Sequence, residues 1–199
     1  MSRAALALLG VSLLGTSCLA PQDVPPAVFY EVRPERSGPP AESPGAGAVR
    51  VGRVRTAPLV ERTAFVYRTG ERTFEADFYH HFSALPGVLV QEALADWLER
   101  SGLFAEVQQG GPEERARWAL EARVIAFHAD VRDPAAPRAV VEIEVFVLQT
   151  GSAAREARLR ERYRAEIPAS AEPAALAGAW TRGLTQILRE LEDDLRATL

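Results

Sequence analysis

Few side chains in this sequence are spaced for chemistry. His80 and His81, close after Asp77, form the one cluster that suggests a metal. A metal needs several ligands converging on one point, whereas adjacent histidines on a strand or turn face opposite ways. No further nitrogen or sulfur ligand lies nearby in sequence, so the pair reads as part of a contact loop; neither a metal nor any other cofactor is expected. His128, beside Asp130, reads as an edge histidine with its hydrogen bonds met. Glu142 and Glu144 share one strand face, as a pair of catalytic acids would. The arginines of the following strand fall opposite them, and ion pairing is poor tuning for a general acid. There is no G-x-S-x-G elbow, no glycine-rich phosphate loop and no H-E-x-x-H helix. Trp97 and Trp180 fall on helical stripes as core anchors, while Trp118 fits either a core or a contact role. No catalytic residue is expected.

The remaining reactive group is the sulfur of Cys18, the only cysteine. Arg3 precedes an apolar run from Ala4 to Leu14, and the small residues Gly15, Thr16 and Ser17 follow. The run is too short for a bilayer, which takes about 20 apolar residues in a helix. It fits the ~7–15-residue core of an export signal, so residues 1–17 are expected to be a signal peptide. A lone cysteine in an exported chain has no internal disulfide partner. Leu14-Gly15-Thr16-Ser17-Cys18 resembles a bacterial lipobox, with Gly15 where that motif usually has a branched aliphatic residue. The resemblance implies that Cys18 carries a diacylglycerol thioether and becomes the mature N-terminus. Each buried methylene of acyl chains such as palmitate contributes about 0.8 kcal/mol, so two or three chains anchor firmly. Leu19 after the cysteine, rather than Asp, implies sorting to the outer membrane and a periplasm-facing domain.

The 199 residues allow one domain plus extras. A net charge of −4 supplies no basic field for nucleic acid. Residues 18–27 carry three prolines without apolar periodicity and read as a flexible tether. Residues 28–199 are expected to form a single domain.

The elements that must position any site follow from periodicity. Val28 to Val32 reads as a first strand, and Pro34 to Gly47 is broken by prolines and glycines. Val49, Val51 and Val54 suggest a strand ending near Pro58. Ala64–Arg68 and Thr73–Ala76 flank a turn around Gly70 and predict a β-hairpin. Val90, Leu94, Trp97 and Leu98 share one face of a helix over 85–101, with Pro86 in its first turn and Gly102 as its cap. Strands are predicted over 103–107, 117–129, 139–150 and 158–167. Centring the last hairpin on Ser152 places Glu142 opposite Arg162 and Glu144 opposite Arg160. Leu176, Trp180, Leu184, Ile187, Leu191 and Leu195 then mark a long amphipathic helix over 173–197. One charged sheet face and two helices on the other predict an α+β two-layer sandwich with a largely antiparallel sheet.

Several local motifs carry a family resemblance. Phe29-Tyr30-Glu31-Val32 looks like an opening Y-x-L strand, and Val49-Arg50-Val51-Gly52-Arg53-Val54 is similar to L-x-V-x-R-V. Ala64-Phe65-Val66-Tyr67-Arg68 resembles R-I-V-Y-R. Leu98 with Ser101-Gly102-Leu103-Phe104-Ala105-Glu106-Val107 looks like L-x-x-S-G-x-F-x-x-V. Together these resemble the ABC-type transport auxiliary lipoprotein family, over about Tyr30 to Leu195. Phe82 stands where the family tends to place a tryptophan, and Ala119-Leu120-Glu121-Ala122 is a loose form of its D-Y-x-L strand. Membership implies an accessory without ATP chemistry of its own. Such a protein works with an MCE-domain periplasmic protein and its ABC transporter in moving lipid between membranes; some members form homo-oligomeric rings. A lipoprotein that assists lipopolysaccharide insertion is the alternative, because it shares the two-helix, one-sheet plan. Phe78-Tyr79-His80-His81-Phe82 has neither helical nor strand period. It offers Tyr79 and Phe82 as partner-binding residues, or else forms a buried crossing between hairpin and helix.

Overall fold

The computed structural model describes residues 25–42, 45–110, 116–151 and 157–199. The expected signal peptide, Cys18 and most of the tether lie outside the described residues. In chain order the elements are β1 (Val28–Tyr30), β2 (Ala48–Val51), β3 (Arg55–Thr56), a 3-10 turn (Pro58–Val60), β4 (Ala64–Arg68), β5 (Phe74–Phe82), α1 (Pro86–Ser101), β6 (Glu106–Gln109), β7 (Trp118–Asp130), β8 (Arg138–Gln149), β9 (Ala157–Pro168) and α2 (Pro173–Thr198). Among the described residues the nine strands form one sheet, and the fold is α+β.

The sheet is built around β7. Its 13 residues span roughly 40 Å at about 3.3 Å per residue, more than any short neighbour covers. One side pairs along its length with β8, and β8 pairs with β9, both antiparallel. The other side is shared end to end by β2, β3 and β4, all parallel to β7. From there the sheet forks. β6 extends one branch beside β2, while β5 and then β1 extend the other beside β4. The long ladders are antiparallel as expected; the short parallel pairings arise because the chain returns to β7 from loops and α1 rather than through tight turns.

Both helices cover one face. α2 packs on β8 and β9, α1 on β7 and the β2 branch, and the two touch. Trp180 at the centre is fully buried against Phe65 (4.7 Å between ring centroids), Phe82 (4.9 Å) and Phe127 (6.0 Å). A buried indole N–H needs an acceptor. Trp180 donates to the His128 carbonyl at 3.2 Å, Trp118 to the Ala46 carbonyl at 2.6 Å and Trp97 to the Glu192 carboxylate at 2.8 Å. All three tryptophans are therefore structural.

Residues 31–42 carry no helix or strand and run as a strap over the helix ends. Its anchor is ionic. Arg36 donates to Glu192 through Nε (2.8 Å) and Nη2 (2.9 Å), both side chains nearly excluded from solvent, and Arg196 holds the same carboxylate. Burial pushes the Glu192 carboxyl up, but the hydrogen bonds from Arg36 and Trp97 outweigh it and hold the group below its ordinary range. Gly102 caps α1 in the left-handed conformation (φ 67°). A side chain there would also press to 3.0 Å from the Ala41 nitrogen, so glycine both ends the helix and lets the strap pass.

Several local expectations change, among them the strand over 103–107, which forms later as β6 (Glu106–Gln109). The strand expected through Val54 splits into β2 and β3, and the intervening Val54 N–H donates to the Gln91 side chain on α1 instead of to a strand (3.2 Å). The hairpin register is displaced by two residues, which preserves the face: Glu142 pairs with Arg164 and Glu144 with Arg162. The anticipated ion pairs survive as diagonals, Arg162 to Glu142 at 3.5 Å and Arg160 to Glu144 at 3.4 Å. Finally, β5 runs on to Phe82, taking in the stretch that showed no period. Its reason lies in the site below.

Candidate docking edge

The missing period comes from a bulge. Val66 pairs with Ala76, yet Ala64 pairs with His81, so β5 carries extra residues between these points. Asp77 organises them. One carboxylate oxygen accepts the backbone N–H of Tyr79 (2.8 Å) and of His80 (3.1 Å). The other accepts the Tyr67 hydroxyl (3.1 Å) and lies 2.8 Å from His80 Nδ1. Burial pushes the Asp77 carboxyl up, but these hydrogen bonds prevail and hold it below the usual carboxylate range. The Tyr67 phenol is pushed well above its ordinary value by burial and by Asp77. His81 closes the bulge through Nε2, 3.1 Å from the Phe78 carbonyl oxygen.

The result is an aromatic edge. Phe78 is 86% exposed and Tyr79 40%. Beside them runs β1, in register Val28 with His80, Phe29 with His81 and Tyr30 with Phe82. Phe29 is 65% exposed, with its ring 5.5 Å from that of His81, and Val28 is also exposed. Among the described residues β1 pairs only with β5, so its outer backbone edge is open. An open strand edge framed by aromatic side chains suits addition of a strand from a partner.

Tyr79 and Phe82 therefore separate. Tyr79 lies on the surface. Phe82 is 1% exposed and packs 4.5 Å from Phe65 and 5.0 Å from Phe127, so it is a core residue beneath the edge and not a contact for a partner. Phe78, within the stretch singled out from the sequence, and Phe29, which that reading did not include, supply the rest of the exposed surface. The available signal was the order Asp-Phe-Tyr inside a strand pattern, since an Asp that bonds the backbone two residues on makes a local turn.

The other candidates fall elsewhere. His80 and His81 serve the bulge, and among the described residues no group of three His, Cys, Asp or Glu gathers as a metal would require. His128 is not at an edge: it lies mid-sheet on the face away from the helices, nearly buried, with Phe74 edge-on at 5.4 Å. Among the described residues neither ring nitrogen has a hydrogen-bond partner. Burial pushes its pKa down to about 4, so the ring is neutral at pH 7. Asp130, its expected companion, is instead gripped by Arg132 and lowered to about 2. Glu142 and Glu144 belong to the ion-pair ladder with β9.

Taken together this is a two-layer α+β module with a bulged, aromatic sheet edge, and among its described residues no helix is long and apolar enough to cross a membrane. The chain belongs to the ABC-type transport auxiliary lipoprotein component family, whose sequence model matches residues 30–192. It is similar in fold to protein XCC0632 from Xanthomonas campestris, of the DUF330 family (TM-score 0.77, 19% identity, covering 86% of this chain and 96% of that one). It is also similar to the hypothetical protein CT253 from Chlamydia trachomatis (TM-score 0.52, 12% identity, covering 77% and 99%). No curated protein sequence matches the chain.

Proposed function

We propose that this chain is the outer-membrane lipoprotein accessory of an MCE/ABC-type intermembrane lipid transport system. In this reading residues 1–17 are the signal peptide, Cys18 carries the acyl anchor and 18–27 tether one domain, 28–199, on the periplasmic face. The domain is non-catalytic and acts by binding. The MCE-domain protein docks on the edge formed by Phe29, Phe78 and Tyr79, adding backbone hydrogen bonds along β1 with aromatic contacts on either side. Family membership across residues 30–192 is the observation that supports this most, since the matched span takes in the strap and the bulge that carries Phe78 and Tyr79.

Affinity purification of the full chain from detergent-solubilised envelope tests the reading. The expected result is recovery, from outer-membrane-containing fractions, of an acylated chain together with an MCE-domain protein and its ABC transporter, each identified by mass spectrometry. An unacylated Cys18, or a clean preparation with no MCE-domain protein, contradicts it.

A further inference from the structure

The sheet face away from the helices holds a second feature, separate from the docking edge. A groove of about 520 Å³ runs where β2, β3, β7 and β8 meet. Arg53, Arg55 and Arg123 line it, all exposed and without a carboxylate partner among the described residues. Arg55 and Arg123 are direct neighbours in the parallel ladder between β3 and β7. Like charges placed opposite one another in a sheet are destabilising. Glu144, the residue across from Arg123 on β8, is engaged by Arg160 at 3.4 Å, which leaves Glu121 as the local countercharge. The chain as a whole is acidic, with a net charge of −4, so this concentration of unpaired guanidinium groups is local.

Arg50, itself engaged, also lines the groove, and the remainder of the lining is apolar. Phe146, with the Arg160 guanidinium 5.2 Å from its ring centroid, and Leu148 form one wall, and buried Gly52 on the opposite side gives its N–H to the Leu120 carbonyl at 2.8 Å. Guanidinium groups bind phosphate oxygens in a bidentate fashion. A free inorganic anion would leave Phe146 and Leu148 unused, and a purely apolar ligand would leave the arginines unused. A ligand with an anionic head and an adjoining hydrocarbon segment uses both.

We infer that this groove binds a single phospholipid by its anionic headgroup, with Arg53, Arg55 and Arg123 on the phosphate and Phe146 and Leu148 against the first carbons of the acyl region. The inference does not rest on the transporter assignment, because the isolated chain suffices to test it.

The test is calorimetric titration of the full-length acylated protein, in a neutral maltoside detergent, with dihexanoyl phosphatidylglycerol, dihexanoyl phosphatidylcholine and inorganic phosphate. The expected result is one phosphatidylglycerol per chain, bound at least tenfold more tightly than either other probe. Arg55→Gln/Arg123→Gln weakens it tenfold or more. Arg53→Gln, in the irregular segment between β2 and β3 where it cannot disturb the ladder, weakens it severalfold with an unchanged melting temperature. Equal affinity for the two lipids, phosphate binding as tight as the lipid, or wild-type affinity in Arg53→Gln overturns the proposal. So does loss of an acidic protein partner in the double variant while lipid binding persists, since that would make the face a protein interface.

Discussion

Of the three strands that end this forked sheet among the described residues, β1 and β9 treat their open side in opposite ways. β9 pairs only with β8 among the described residues, yet its 12 residues include Arg158, Arg160, Arg162 and Arg164, interrupted by Glu161 and Glu166 and ended by Pro168. Charges and proline on an edge strand discourage pairing with another chain. β1 is three residues long, lies beside a bulge, and presents Val28 and Phe29 next to Phe78 and Tyr79. One edge is sealed by sequence and the other is kept open and greasy at the end of the expected tether. The contrast is what separates a structural boundary from a contact surface.

The comparison breaks most readily from below. Phe82→Ala removes the ring that supports the open edge and is expected to cost about 3–5 kcal/mol, measured by chemical denaturation. If the loss were instead negligible, Phe82 would not be the floor of the edge.

The β9 side carries the next effect. The pKa of His128 is depressed to about 4 in the folded chain, below the unfolded value near 6.5. Protonation therefore favours the unfolded chain: full stability is present above about pH 6.5 and falls toward pH 4, by at most roughly 1.4 kcal/mol for each pH unit in that window. Acidic groups facing the ring, Asp130 and Glu166, and the opposing Arg68 and Arg164 bear on the same proton. His128→Leu should flatten this part of a stability profile measured by urea unfolding against pH.

Asp77→Ala sharpens the contrast from the β1 side. It strips the Tyr79 and His80 N–H groups and the Tyr67 hydroxyl of their acceptor, and costs about 1–3 kcal/mol. Partner recovery should fall as well, although Phe29, Phe78 and Tyr79 are intact, because the bulge that presents them relaxes. The smallest effect belongs to the sealed edge. Arg160→Thr/Arg162→Thr loses exposed ion pairs worth about 0.2–1 kcal/mol each, while the blunted edge becomes sticky and self-association appears in analytical ultracentrifugation.

How far these features could be read in advance follows their range along the chain. α2 was legible because Leu176 to Leu195 repeat at helical steps, and β8 because Val141, Ile143, Val145 and Val147 alternate against Glu142 and Glu144. The exact register of β9 was not, because the ion pairs satisfy either alignment on the same face. The bulge escaped because Asp77 acts partly through Tyr67 on β4, and because its extra residues are set by the pairing with β4. The Arg36–Glu192 clamp joins residues 156 apart, a distance over which no local pattern operates. His128 resembled an edge residue until Phe74 and the flanking strands closed over it. At the candidate site, the stretch containing Phe78 and Tyr79 was visible as aromatic but aperiodic, while the burial that divides Tyr79 from Phe82 is a property of the folded sheet.

The most direct measurement compares partner capture by the full-length chain and by Phe29→Ser/Phe78→Ser, both purified from detergent-solubilised envelope, with melting temperatures recorded in parallel. The account predicts that the variant keeps its melting temperature within a few degrees and recovers at least tenfold less of the MCE-domain protein. Undiminished recovery by a folded variant would contradict the docking edge.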